Sequence, residues 1–209
     1  MRKCLSCFII LIFLFSASSL LAAPLELQWN LSKEKRDDND DKGRYRVYTV
    51  PDGWQFEVKS ENFIASQGFR LPSKARYLFR YETEAEILSL EGRAKTGIYM
   101  GKEGVALVFE INPENTQLRF SHGGTVSFIS SGRLPQKLVP PATIKMIYDV
   151  DTGEVAGFIN GAPAVSGNTK KMSNLPGLTS IAYTSVFVGT MWDSQSARGV
   201  FKSVNFLGK

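Results

Sequence analysis

Residues 144–165, IKMIYDVDTGEVAGFINGAPAV, decide how this 209-residue chain is read. Ile144, Met146, Tyr148 and Val150 recur at every second position, the spacing that puts side chains on one face of a pleated strand. Asp151-Thr152-Gly153 then supplies turn chemistry, because aspartate accepts hydrogen bonds from the backbone just beyond it and glycine takes positive φ without steric cost. Residues 155–159 return as a strand. Asn160-Gly161 marks a second reversal, since both residues accept the left-handed conformation that a type I′ turn requires. Two or three short antiparallel strands are expected from this segment alone.

The chain on either side repeats the pattern. Leu25, Leu27, Trp29 and Leu31 alternate with Glu26, Gln28 and Asn30, as in a strand with one buried and one wet face. Residues 45–50 and 54–58 flank the turn Pro51-Asp52-Gly53 and form a hairpin with Trp54, Phe56 and Val58 on its core side. Residues 60–73 read as a connection with one short strand near 62–65. Further strands are expected at 97–101, 105–111, 116–120 and 125–129, with Asn112-Pro113-Glu114-Asn115 as an evident turn. Glycine or proline interrupts every long apolar run, and no stretch beyond residue 23 has helical periodicity. The fold class is therefore all-β, a two-sheet antiparallel β-sandwich.

An apolar strand, Asp-x-x-Gly, and a second strand ending Phe158-Ile159-Asn160-Gly161 together resemble the central hairpins of the concanavalin A-like, laminin G-like jelly rolls. Val186-Phe187-Val188-Gly189, a loop holding Trp192, and residues 199–206 are similar to that family's last two strands, with Gly199 as the glycine before the closing strand. The resemblance covers residues 63–206. It implies a jelly roll whose first strand pairs near the last, and it leaves activity open, because this fold hosts lectins, adhesion modules, glycan hydrolases and lyases.

Arg2 and Lys3, an apolar run over 8–15 and small residues up to Ala23 have the three-part layout of a secretory signal, so residues 1–23 are expected to be removed and 24–209 to form one domain. An uncleaved anchor is the competing reading of residues 4–23, and Ser16, Ser18 and Ser19 speak against it. Cys4 and Cys7, the only cysteines, lie in this segment, so the exported form, periplasmic or secreted, has no thiol or disulfide and must rely on one self-sufficient core. Arg2 and Lys3 account for two of the five net positive charges, and no acidic residue accompanies them, which leaves +3 on the mature chain. That balance supplies no basic stripe for nucleic acid. No membrane span is expected once the signal is cleaved.

Candidate chemistry lies in four places. In residues 76–90, RYLFRYETEAEILSL, an unbroken strand puts Tyr77, Phe79, Tyr81, Thr83, Ala85 and Ile87 on one face and Glu82, Glu84 and Glu86 in a row on the other. A retaining glycosidase needs two carboxyls about 5 Å apart, a spacing that residues two apart on a strand can meet. Glu-x-Glu-x-Glu is superficially similar to the Glu-x-Asp-x-Glu of jelly-roll glucanases but departs at the centre. The alternative is a solvent-facing edge strand ending in a polar turn at 83–86. Asp149 and Asp151 are candidate calcium ligands, although a hard cation wants six to eight oxygens, and turn stabilisation explains both. Residues 33–42, KEKRDDNDDK, have the Asp37-x-Asn39-x-Asp41 spacing of a calcium loop, but Lys42 stands where the turn glycine belongs, so a solvated loop is expected. Lone His122, in a turn, has no partner for a transition metal, and no Gln-x-His of a lyase occurs.

Sugar recognition needs an aromatic plate and a few fixed polar groups on a rigid frame. Trp192, with Asp193, Gln195 and Arg198 nearby, is the leading plate, and Tyr99 is secondary. A loop anchor packed on the sandwich edge is the competing role for Trp192. A non-catalytic glycan-binding or adhesion module is the function expected, with a glycan hydrolase and a binder of cell-surface protein as alternatives.

Overall fold

The computed structural model describes residues 23–134, 138–172 and 178–209. The expected signal segment lies outside the described residues except for Ala23. Among the described residues no helix is long and apolar enough to cross a membrane.

Among the described residues fifteen strands form two antiparallel sheets. One contains β1 (Leu25–Asn30), β2 (Asp37–Asn39), β3 (Tyr45–Val50), β4 (Gly53–Val58), β6 (Arg80–Glu91), β11 (Ala142–Asp149), β12 (Glu154–Ile159), β13 (Ala162–Asn168) and β15 (Ala197–Gly208), in the order β13-β12-β11-β6-β15-β4-β3-β2. β15 is long enough to pair with β4 through residues 197–201 and with β1 through residues 203–208, so the first strand does close against the last. The other sheet runs β10 (Thr125–Arg133), β9 (Asn115–His122), β8 (Val105–Ile111), β7 (Ala94–Lys102), β14 (Tyr183–Thr190), β5 (Ile64–Arg70). Only short 3-10 turns interrupt the strands.

The decisive segment folds as β11, β12 and β13. Asn160 and Gly161 take φ of 50° and 77°, the left-handed pair expected of a type I′ hairpin. The first turn is built differently from the sequence reading: Asp149, not Asp151, accepts hydrogen bonds from the Thr152 amide (2.8 Å) and hydroxyl (3.0 Å). Those bonds, the amide first, hold the Asp149 carboxyl below the usual aspartate range. The core side of β11 is Ile144, Met146 and Tyr148.

Between the sheets one apolar cluster is continuous. It joins Phe56, Ile87, Met146, Phe201 and Phe206 of the larger sheet to Ile98, Leu107, Phe109, Phe120 and Val188 of the smaller one. Gly157 is required here by space, since a Cβ on it would fall 2.4 Å from the Phe109 ring. Buried polar groups are paired across the layers: Thr83 and Thr184 hydroxyls meet at 2.9 Å, and Tyr148 donates to the Leu178 carbonyl at 2.7 Å.

Four local expectations are corrected. Residues 37–39 form an edge strand, not a loop, because Asp37, Asp38 and Asp40 pair with Arg46, Arg36 and Arg44. Tyr77 and Phe79 precede β6 and are exposed, so the alternation starts at Arg80. β6 is a central strand that continues through 83–86 without a turn, and Thr83 is fully buried. Gly199 lies within the last strand, where Val188 and Leu90 leave no room for a side chain.

Candidate functional site

Each sheet has one face in the core and one outward. On the nine-stranded sheet, β6 presents Glu82, Glu84 and Glu86 in a row, as alternation requires. The neighbouring strands answer with cations. Lys145 of β11 reaches Glu84 at 3.2 Å and Glu82 at 3.7 Å, Arg80 holds Glu82 at 3.0 Å, and Lys202 of β15 holds Glu86 at 3.0 Å. Glu82, Glu84, Lys145 and Glu26 line a 480 Å³ depression on this face.

The six-stranded sheet turns a different surface outward. Cross-strand register aligns Gly68, Ser185, Tyr99, Val108, Arg119 and Phe128 in one row and Ser66, Phe187, Gly97, Glu110, Gln117 and Ser131 in the next. Although they face away from the main core, Phe187 is fully buried and Val108 is 3% exposed. Glycine makes this possible. Gly97 leaves room for the Phe187 ring, which would stand 2.8 Å from a Cβ there. Tyr99 leans on Phe187 with ring centroids 4.8 Å apart and planes tilted by 48°. Tyr183, opposite Gly101, continues the aromatic strip diagonally across β14 and β7. Burial pushes the Tyr99 phenol up to about 12 and raises that of Tyr183, so both remain hydrogen-bond donors throughout the neutral range.

The strip is fixed from behind. On the core side Thr184 donates to the Tyr99 carbonyl at 3.1 Å, and Thr96 donates to the Phe187 carbonyl at 2.8 Å. Beside the rings Arg119 is ion-paired to Glu110, which is 5% exposed. The Arg119 Nε–H is buried without a hydrogen-bond partner among the described residues. Lys95 donates to Asn62 at 3.2 Å, and burial lowers its ammonium pKa.

The residues singled out from sequence separate in space. Trp192 lies beyond the end of β14 and is 75% exposed, so it does not act as an edge anchor. Asp193, in the same loop, is paired to Arg93, which also holds Glu114 at 3.0 Å; Gln195 is exposed. Arg198 belongs to β15, on the larger sheet, and pairs with Glu57 at 3.2 Å. Tyr99 alone sits within the aromatic strip. Asp149 is engaged in its turn, Asp151 is exposed, and among the described residues no group of three or more His, Cys, Asp or Glu converges as a metal site. Tyr183, Phe187, Arg119, Glu110 and Lys95 were missed by the sequence reading. The signal was present in Tyr183-x-Ser185-x-Phe187-x-Gly189, an outward-facing set too apolar and too small for an ordinary wet face.

No protein-family model and no curated protein matches the chain. Among solved structures, the apo form of the transglycosylase Crh5 is similar at 12% identity and a TM-score of 0.56, covering 87% of this chain and 83% of that one. The carbohydrate recognition domain of Emp46p, in its potassium-bound form, is similar at 11% identity and a TM-score of 0.51, covering 85% and 94%. A sialidase matches at 9% identity and a TM-score of 0.53, with 85% of this chain lying on 18% of that one. These likenesses establish the fold, which is the jelly-roll β-sandwich expected from the hairpins.

Proposed function

We propose that the chain is an exported, non-catalytic carbohydrate-binding module whose ligand lies along the outward face of the six-stranded sheet. The observation that carries this is the Tyr183–Tyr99 strip, backed by Phe187, for whose ring Gly97 leaves room. It joins flat apolar surface to phenol donors, which is the combination that holds a pyranose by its apolar face and its hydroxyls. Arg119, held by Glu110, fixes a guanidinium beside the rings. Trp192 stands beyond the far end of β14 as a second plate for a longer chain. The Crh5 transglycosylase and the Emp46p carbohydrate recognition domain show that this fold serves sugar chemistry and sugar recognition alike.

The glutamate row supports binding over hydrolysis. A retaining pair needs a neutral acid beside an unencumbered nucleophile. Here one lysine lies within 4 Å of both Glu82 and Glu84, and each of the three glutamates has its own cation.

A polysaccharide array scored for retention and for product release tests the proposal. Retention without release is expected, with a loss of about tenfold or more in Tyr99→Ala and a smaller loss in Trp192→Ala. Release abolished by Glu84→Gln would replace the proposal with a hydrolase. Silence on the array together with specific capture of one protein would replace it with a protein-binding module.

A further inference from the structure

At the Tyr183 end of the aromatic strip lies a cavity of 890 Å³, lined by Arg70, Arg76, Lys102 and Tyr183 with Ser73 and Ser180. Its three cations come from three separate segments. Arg70 ends β5, Arg76 lies in the 3-10 turn Ser73–Tyr77, and Lys102 ends β7. Arg70 is the direct cross-strand partner of Tyr183, which faces Gly101 on its other side. Glu103 is the one acidic residue in the lining. None of the three cations forms an ion pair among the described residues, and the residues outside that set include no aspartate or glutamate to supply one. Arg44, Arg46, Arg119 and Lys202, by contrast, are each paired with a carboxylate.

Three unneutralised cations converging on a concave site repel one another, and an anion relieves that repulsion. Two guanidiniums offer planar forks that match the paired oxygens of a carboxylate or sulfate, and the phenol of Tyr183, kept protonated by burial, adds a neutral donor. We infer that this cavity receives the anionic substituent of an acidic sugar whose neighbouring ring lies on Tyr99, so that the module selects acidic over neutral polysaccharides. The inference rests on the glycan-binding role of the aromatic strip and names the class of glycan.

Affinity electrophoresis of the exported chain at about 0.15 M salt, where surface charges are screened beyond about 8 Å, tests it. The probes are polygalacturonate (carboxylate), dextran sulfate (sulfate), unsubstituted dextran and polyphosphate, an anionic polymer without sugar. At least one of the first two is expected to be retained tenfold or more over dextran, and which one is retained identifies the anion. Arg70→Gln combined with Arg76→Gln is expected to remove that tenfold preference while leaving dextran binding unchanged; Tyr99→Ala weakens both. The melting temperature of the double variant is expected to be unchanged or higher, which separates lost binding from lost folding. Retention of polygalacturonate and of dextran sulfate that in neither case exceeds that of dextran, or an unaltered preference in the double variant, overturns the acidic-sugar inference and leaves the glycan-binding role standing. Retention of polyphosphate equal to that of the acidic glycans, insensitive to Tyr99→Ala, overturns the glycan-binding role instead. No retention of any probe overturns both.

Discussion

The two outward faces of this sandwich obey the same alternation, yet only one is an ordinary wet surface. On the nine-stranded sheet the outward residues of β6 are glutamates with lysine or arginine partners, partly exposed and locally neutralised. On the six-stranded sheet the outward residues at the centre are Phe187, Val108 and Tyr99 with glycines between them, and the charged pair Glu110–Arg119 is itself largely buried. A row of carboxylates is conspicuous in sequence but chemically quiet once its neighbours are in register. An apolar outward face is easily mistaken for core, and here it carries the proposed site. The difference teaches that period-2 patterning assigns a side chain to a face, while the strands beside it decide what that face can do.

Substitutions on the two faces sharpen that contrast. Phe187→Ala removes a fully buried ring that supports Tyr99, and it is expected to cost about 3 to 4 kcal/mol and to lower the melting temperature by roughly 6–16 °C, with glycan retention lost as well. Glu110→Ala leaves the Arg119 charge largely buried and unpaired, so a loss of about 2 to 3 kcal/mol in denaturant unfolding is expected. On the other face, Glu82→Gln, Glu84→Gln and Glu86→Gln are each expected to change stability by less than about 1 kcal/mol and to leave retention intact. A cost from Glu84→Gln equal to that from Glu110→Ala would break the comparison.

The smallest expected effect is at the β11–β12 turn. Because hydrogen bonds from Thr152 depress the Asp149 carboxyl, its contribution is complete above the unfolded value of about 3.9 and is lost as pH falls through the lower folded value. Asp149→Ala is therefore expected to melt a few degrees below the native chain at pH 7 and to converge with it in acid near pH 2, checked by melting curves across that range. A difference that persists unchanged at pH 2 would assign the effect to backbone geometry and not to ionisation.

Much of the architecture was legible in the chain because hairpins are local. Asn160-Gly161 and Pro51-Asp52-Gly53 turn where their residue chemistry says they must, and strands such as β4, β9 and β11 show their core sides by alternation. The reading failed where a partner strand supplied the answer. Residues 37–39 look like a solvated loop until Arg46 and the amides of β3 arrive beside them. Glu82–Glu86 look like catalytic carboxylates, or a polar edge, until Lys145 and Lys202 lie across from them.

By itself the sequence determined the all-β class, the positions of the main reversals and the absence of any cross-link beyond residue 7, since each follows from residues adjacent along the chain. Only the tertiary structure brought Tyr99 to Tyr183 and Phe187, more than eighty residues apart in sequence, and gathered Arg70, Arg76 and Lys102 around one cavity. The physical reason is register. Which residue of β14 lies opposite which residue of β7 depends on packing the whole interior at once, and no window of the chain contains that information.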